Sequence, residues 1–225
     1  MIGHRGDPGH HPDNTLTGIA SALSAVGAVE VDVRLSVDGR LVLSHEPEIG
    51  GHVIAESPWS LLAGLDAGGG NRPCLLDEAM GIPGSFDLEI KNLPGEAHFD
   101  GWGRLALLVA SRARPGDIVT SFYWPDIDLI HRHAPEVATG LLVDEGGSAI
   151  DALDHAVEEG HRVVAPHHTL IDVELSRDAI TAGVAVVAWT VNDLDRAQEL
   201  SELGVAAIIS DHPLSISSGL TEPTT

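Results

Sequence analysis

Ala28-Val29-Glu30-Val31-Asp32-Val33 reads as a strand with two unlike faces. Successive strand side chains alternate, so Glu30 and Asp32 share one face and Val29, Val31 and Val33 the other. An apolar face calls for a covering helix. A face of paired carboxylates calls for compensation, because burying an unpaired charge is costly. The pattern returns at Leu88-Glu89-Ile90-Lys91, with Glu89 and Lys91 opposite Leu88 and Ile90. Two such strands, apolar outward and charged inward, fit a parallel barrel wrapped in helices.

The rest of the chain repeats the alternation. Parallel strands are expected at Met1–His4, Ala28–Val33, Phe86–Lys91, Ile118–Phe122, Thr139–Val143, Arg162–Ala165, Val184–Thr190 and Ala206–Asp211. Between them lie runs with helical apolar spacing, among them Thr15–Val26, Trp102–Arg112, Ala149–Glu159, Val173–Ala182 and Leu194–Leu203. Leu41–His45 is also strand-like, but it follows Ser36-Val37-Asp38-Gly39, whose Asp-Gly pair signals a hairpin. Set aside as a small antiparallel excursion after the second strand, it leaves the strand number of an α/β (β/α)8 TIM barrel. A doubly wound sheet is the competing fold, because alternation does not reveal closure. Gly50–Arg72 reads as a surface connection with one short helix near Pro58–Leu65. Ser217–Thr225 reads as a frayed tail that leaves little room for an eighth helix. Residues 1–225 are expected to form a single barrel domain.

A formal charge of −22 argues against nucleic acid or an anionic membrane surface as partner. No apolar run is long enough for stable membrane insertion, and the start of the chain lacks the pattern of a signal peptide. The lone Cys74 cannot form an intrachain disulfide and reads as a small buried hydrophobe, so a cytoplasmic location is expected.

Chemistry-bearing residues gather at strand ends. Glu30, Asp32 and Glu89, with no cysteine nearby, suit one divalent cation that prefers oxygen, Mg²⁺ or Ca²⁺. The competing reading is a lumen salt-bridge network that pairs Glu89 with Lys91 or Arg5. His4 and His45 flank the carboxylates and have the proton affinity for acid/base work near neutral pH. Arg5 offers a planar fork of donors for phosphate oxygens. Asp13-Asn14-Thr15 reads as a helix N-cap, with Asn14 also placed to hold the first loop. Trp189, at the end of the seventh barrel strand, is placed to pack against a glycerol or alcohol moiety. His167 and His168 follow another strand end and read as rim residues. With a dication, Arg5 and Lys91 outweighing three carboxylates, the loaded pocket would carry one net positive charge inside an acidic protein.

Together these motifs resemble the glycerophosphodiester phosphodiesterase family. The resemblance rests on His4-Arg5-Gly6, Pro12-Asp13-Asn14-Thr15, Glu30-Val31-Asp32-Val33, Asp38-Gly39 and His45-Glu46. It continues through Glu89-Ile90-Lys91, Ser121-Phe122, Trp189-Thr190-Val191-Asn192 and Ser210-Asp211-His212-Pro213. It implies a barrel of the phospholipase C-like phosphodiesterase type that hydrolyses small glycerophosphodiesters with a divalent metal. By position it implies Glu30, Asp32 and Glu89 as ligands, His4 and His45 as general acid and base, and Arg5 and Lys91 on the phosphate. Asp13 replaces the family's glutamate and is one methylene shorter, so its polar contact to the first loop is expected to be lost or bridged by water. Glu46 replaces an aspartate and is one methylene longer, which bears on how His45 is oriented. The alternatives are a lysophospholipase D on the same barrel and a non-catalytic binding module.

Overall fold

The computed structural model describes residues 1–96 and 98–221. Strand β1 (Ile2–Gly3) leads to helix α1 (Leu16–Val26) and β2 (Ala28–Leu35). Short elements follow: β3 (Leu41–Leu43), β4 (Glu48–Ile49), β5 (His52–Val53), α2 (Trp59–Leu62) and α3 (Leu76–Ala79). The alternation then runs through β6 (Ser85–Ile90), α4 (Arg104–Ala110), β7 (Ile118–Ser121), α5 (Trp124–His133), β8 (Ala138–Val143) and α6 (Ala149–Glu159). It ends with β9 (Val163–Pro166), α7 (Val173–Ala182), β10 (Ala185–Ala188), α8 (Leu194–Glu202), β11 (Ala207–Ser210) and α9 (Pro213–Thr221).

The parallel strands run in the order β1-β11-β10-β9-β8-β7-β6-β2, and β1 pairs with β2 to close the barrel. Closure decides against the doubly wound sheet. β3 pairs antiparallel with the end of β2, Val33 opposite Leu43, as the hairpin signal predicts. Val29, Val31, Val33, Leu88 and Ile90 pack outward into the main core beneath the helices, and a smaller apolar cluster of Ile2, Leu142, Val163, Ala165, Val187 and Ile209 fills the lumen. Thr15, Ser148, Asp172 and Asp193 cap the N-termini of α1, α6, α7 and α8, each accepting a backbone N–H.

Two sequence expectations are corrected. Ser217–Thr221 belong to α9, which begins at Pro213 and packs against α1 and α8 with Ile216 buried; residues 222–225 lie outside the described residues. Proline at the helix start supplies the signal, since its fixed φ suits the first turn. Gly50–Arg72 is more than a surface connection, because Ile54 and Leu62 join Val42 and Ile49 in a satellite core. That core hides from periodicity because each apolar residue comes from a different short element. No helix among the described residues is long and apolar enough to cross a membrane.

Candidate active site at the barrel mouth

The β2–β6 register sets Glu30 beside Asp87 and Asp32 beside Glu89, so four acidic side chains enter the lumen from two neighbouring strands. All four are buried. Asp87 escaped the sequence reading although it shares the i, i+2 face of Glu89 and Lys91; that spacing is the signal that finds it. It accepts a hydrogen bond from Thr120 Oγ1 at 2.7 Å, and burial pushes its pKa up to about 7.

Compensation among the acids is uneven. Lys91 Nζ pairs with Glu89 Oε1 and lies 2.9 Å from Asp32 Oδ1, while Arg5 Nε lies 3.2 Å from Asp32 Oδ2. Burial alone would raise Asp32, but Lys91 and Arg5 outweigh it and hold the carboxyl below its ordinary value. Glu30 has no such partner. It accepts the backbone N–H of Arg5 at 2.9 Å, and among the described residues the one side-chain nitrogen within ion-pair reach is His4 Nε2 at 4.0 Å. Burial first, then the charges of Asp32 and Glu89, push Glu30 well above the usual carboxylate range. Glu89 is raised to about 7, mainly by burial. The lumen salt-bridge network therefore exists in part, and it stops short of Glu30.

Glu30, Asp32 and Glu89 each offer an oxygen within 4.8 Å of the others, and these are the carboxylates that the sequence selects as ligands. Glu30 Oε1 is buried with no hydrogen-bond partner, and Asp32 Oδ1 lacks one in good geometry. An all-oxygen set with orphaned carboxylate oxygens fits a hard divalent cation.

Each histidine is held by a carboxylate. His4 follows β1, and its Nδ1 lies 2.6 Å from Oδ1 of Asp211, the residue after β11. The β1–β11 pairing, Gly3 opposite Ser210, brings them together. Asn192 donates to Asp211 Oδ2 at 2.6 Å and fixes the carboxylate in turn. His45 follows the hairpin strand, and its Nδ1 lies 2.8 Å from Glu46 Oε1. Glu46 thus orients His45 despite its extra methylene. With the carboxylates ionised, the proton sits on Nδ1 and each ring presents Nε2 as its free nitrogen. Burial and then Lys91 lower the proton affinity of His45, which keeps it neutral near pH 7. Arg34 donates from Nε and Nη2 to the His45 carbonyl, a positioning contact with no forecast in the motifs.

The first loop is pinned from below. Asn14 donates to Asp32 Oδ2 at 2.8 Å and accepts the Asp32 backbone N–H at 3.0 Å. Arg5 and Asn14 both hold positive φ, 52° and 56° respectively, a strained geometry for non-glycine residues that these contacts sustain. Gly6 has φ 109°, and a Cβ there would sit 2.8 Å from the α1 backbone. Asp13 reaches Arg5 Nη1 directly at 3.2 Å, so the contact expected to be lost or bridged by water is made. Cys74 is buried, as expected, and burial pushes its thiol up to about 12.

Trp189 donates its indole N–H to the Ala165 carbonyl at 2.7 Å and meets Phe122 and His167 edge-on. With that donor committed, it offers the site only its ring. It lines a small cavity with His4, Glu30 and Glu89. Arg5, Asn14 and His45 share a second cavity of about 260 Å³. Lys91 opens onto a third, of about 460 Å³, lined also by Arg34, Asn92, Ile54 and Leu105. His167 and His168 stay at the rim, ring against ring.

The chain is 28% identical over 99% of its length to a glycerophosphodiester phosphodiesterase of Arabidopsis thaliana, covering 73% of that protein. It is 25% identical to one of Caldanaerobacter subterraneus, covering 95% of this chain and 94% of the other. A phosphodiesterase of Oleispira antarctica, solved in complex with the product sn-glycerol-3-phosphate, superposes with a TM-score of 0.85 at 27% identity, covering 98% of this chain and 96% of the other. The glycerophosphoryl diester phosphodiesterase family model matches residues 4–215, and the chain belongs to that family.

Proposed function

We propose that this chain hydrolyses glycerophosphodiesters to sn-glycerol 3-phosphate and an alcohol, by in-line displacement at phosphorus with His4 and His45 as the acid/base pair. The observation that carries the reading is the pairing of each histidine Nδ1 with a carboxylate beside a carboxylate triad. The Oleispira relative's product complex supports the substrate class. One imidazole Nε2 takes the proton from the attacking oxygen, either a water, which yields glycerol 3-phosphate directly, or the 2-hydroxyl of the glycerol moiety, which forms a cyclic phosphate that a water then opens to glycerol 3-phosphate. The other gives a proton to the departing alkoxide. Asp211 and Glu46 stabilise whichever ring is charged at each stage. Arg5 and Lys91 hold the phosphoryl oxygens, and Trp189 packs its ring against the glycerol.

Glu30, Asp32 and Glu89 would hold one Mg²⁺ or Ca²⁺ ion. When bound, the cation supplies positive charge for the phosphoryl oxygens and relieves the carboxylate repulsion. The barrel works as one domain on a small soluble substrate in the cytoplasm, without nucleic acid and without stable membrane insertion. A panel of glycerophosphodiesters with different headgroups, assayed for glycerol 3-phosphate release with EDTA and metal add-back, tests the proposal. Release that stops with chelator and returns with Mg²⁺ or Ca²⁺ is expected; no release from any member would overturn it.

A further inference from the structure

We propose that the outer wall of the barrel carries a second metal site, for a first-row transition dication such as Zn²⁺ or Co²⁺, built from Asp128, His155 and His161. Asp128 lies mid-way along α5, His155 mid-way along α6, and His161 between α6 and the N-terminus of β9. Their donor atoms fall within 4.8 Å of one another. The Nε2 atoms of both imidazoles lie 2.9 Å from one oxygen, Asp128 Oδ1, so two rings from different segments aim at a single point. The rings stack with centroids 5.8 Å apart.

His161 is prepared as a ligand. Its side chain is fully buried, and its Nδ1 lies 2.9 Å from Thr139 Oγ1 on β8. A hydroxyl both donates and accepts, so Thr139 keeps its bond when the proton moves to Nδ1 and leaves the Nε2 lone pair free. His131, three residues after Asp128 on α5, stands edge-on to His161 at 5.3 Å, and its Nδ1 is buried with no hydrogen-bond partner. A further imidazole with an unused nitrogen therefore flanks the set. Gly160 leaves room for it, since a Cβ there would lie 3.2 Å from His131 Nε2. Asp128 and His155 are 16% and 29% exposed, which leaves an ion a path from solvent. Two imidazoles and a carboxylate select a borderline transition ion, whereas the all-oxygen mouth selects a hard one. A net charge of −22 raises the local concentration of either.

The test uses the full chain stripped of metal, then titrated with Co²⁺ or Zn²⁺ in excess Mg²⁺. One equivalent of Co²⁺ should give a visible spectrum of nitrogen and oxygen ligation that survives Glu30→Gln and is lost in His155→Gln and Asp128→Asn. Zn²⁺ a hundredfold above its Kd should raise the Tm of the wild type by about 5 °C or more. Mg²⁺-supported turnover should be unchanged in His155→Gln. Long-range ¹H–¹⁵N spectra of the wild type need no variant, and Zn²⁺ should move the His155 and His161 imidazole nitrogens. A spectrum that persists in His155→Gln, one that disappears in Glu30→Gln, or imidazole signals that Zn²⁺ leaves in place would each overturn the site.

Discussion

At the mouth of the barrel, Lys91 and Arg5 divide their charge among several carboxylates, and a Glu30 oxygen is left buried without a partner. On the outer wall, two imidazoles share the single oxygen Asp128 Oδ1. The mouth therefore stores unfavourable electrostatics, visible in Glu30 and Glu89 pushed above the carboxylate range. At the wall, although burial would raise Asp128, its bonds to His155 and His161 hold it below the ordinary value. A cation at the mouth would relieve a conflict among carboxylates, and a cation on the wall would join groups that already hold one another. In this fold, strand C-termini tolerate such conflict while strand N-termini serve stability.

The comparison breaks first at catalysis. His4→Ala or His45→Ala should lower turnover by roughly 10²–10⁴-fold with circular dichroism unchanged, and near-normal rates in either variant would remove that residue from proton transfer. Asp211→Asn should cost on the order of 10²-fold in kcat with KM nearly constant, because His4 loses its fixed tautomer and orientation. An equal loss in KM would instead place Asp211 on the substrate.

Protonation sharpens the difference between the sites. Buried carboxylates at the mouth keep protons up to about pH 7, so a metal ion must displace them. Mg²⁺ affinity measured by calorimetry should rise by up to about tenfold per pH unit for each proton released below about pH 7 and level off above it. The sign for stability is opposite in the chelated protein. Its folded state binds protons that the unfolded chain has already lost, so these carboxylates remove stability as pH rises from about 5 to about 7. Thermal melts of chelated protein across that window check it, and metal should reverse the trend. The smallest effect concerns the brace beneath the mouth. Asn14→Ala should cost about 1–3 kcal/mol in denaturant unfolding, since buried Asp32 loses a donor and its backbone N–H an acceptor.

The alternation of Val29, Val31 and Val33 with Glu30 and Asp32 made β2 legible because strand geometry converts sequence parity into faces. Apolar outer faces and helical spacing likewise located the barrel strands, though their ends moved: β10 is Ala185–Ala188, shorter than Val184–Thr190. α9 was missed because its stability comes from packing on α1 and α8 and not from its own small, polar sequence. The satellite core around Ile54 and Leu62 was missed for the same reason.

Residue type and spacing by themselves determined that the chain forms strands with a carboxylate face, and selected His4, Arg5, Glu30, Asp32, His45, Glu89 and Lys91 as the candidates for its chemistry. Covalent order carries that information because alternation and strand-end position are local properties. Closure decided the rest. Pairing β1 with β11 set Asp211 on His4, residues separated by nearly the whole chain. Pairing β2 with β6 set Asp87 beside Glu30 and left Glu30 without a cation of its own. Packing α5 and α6 side by side on β8 gathered Asp128, His131, His155 and His161. Such contacts depend on register and crossing geometry between distant segments, which no local pattern encodes.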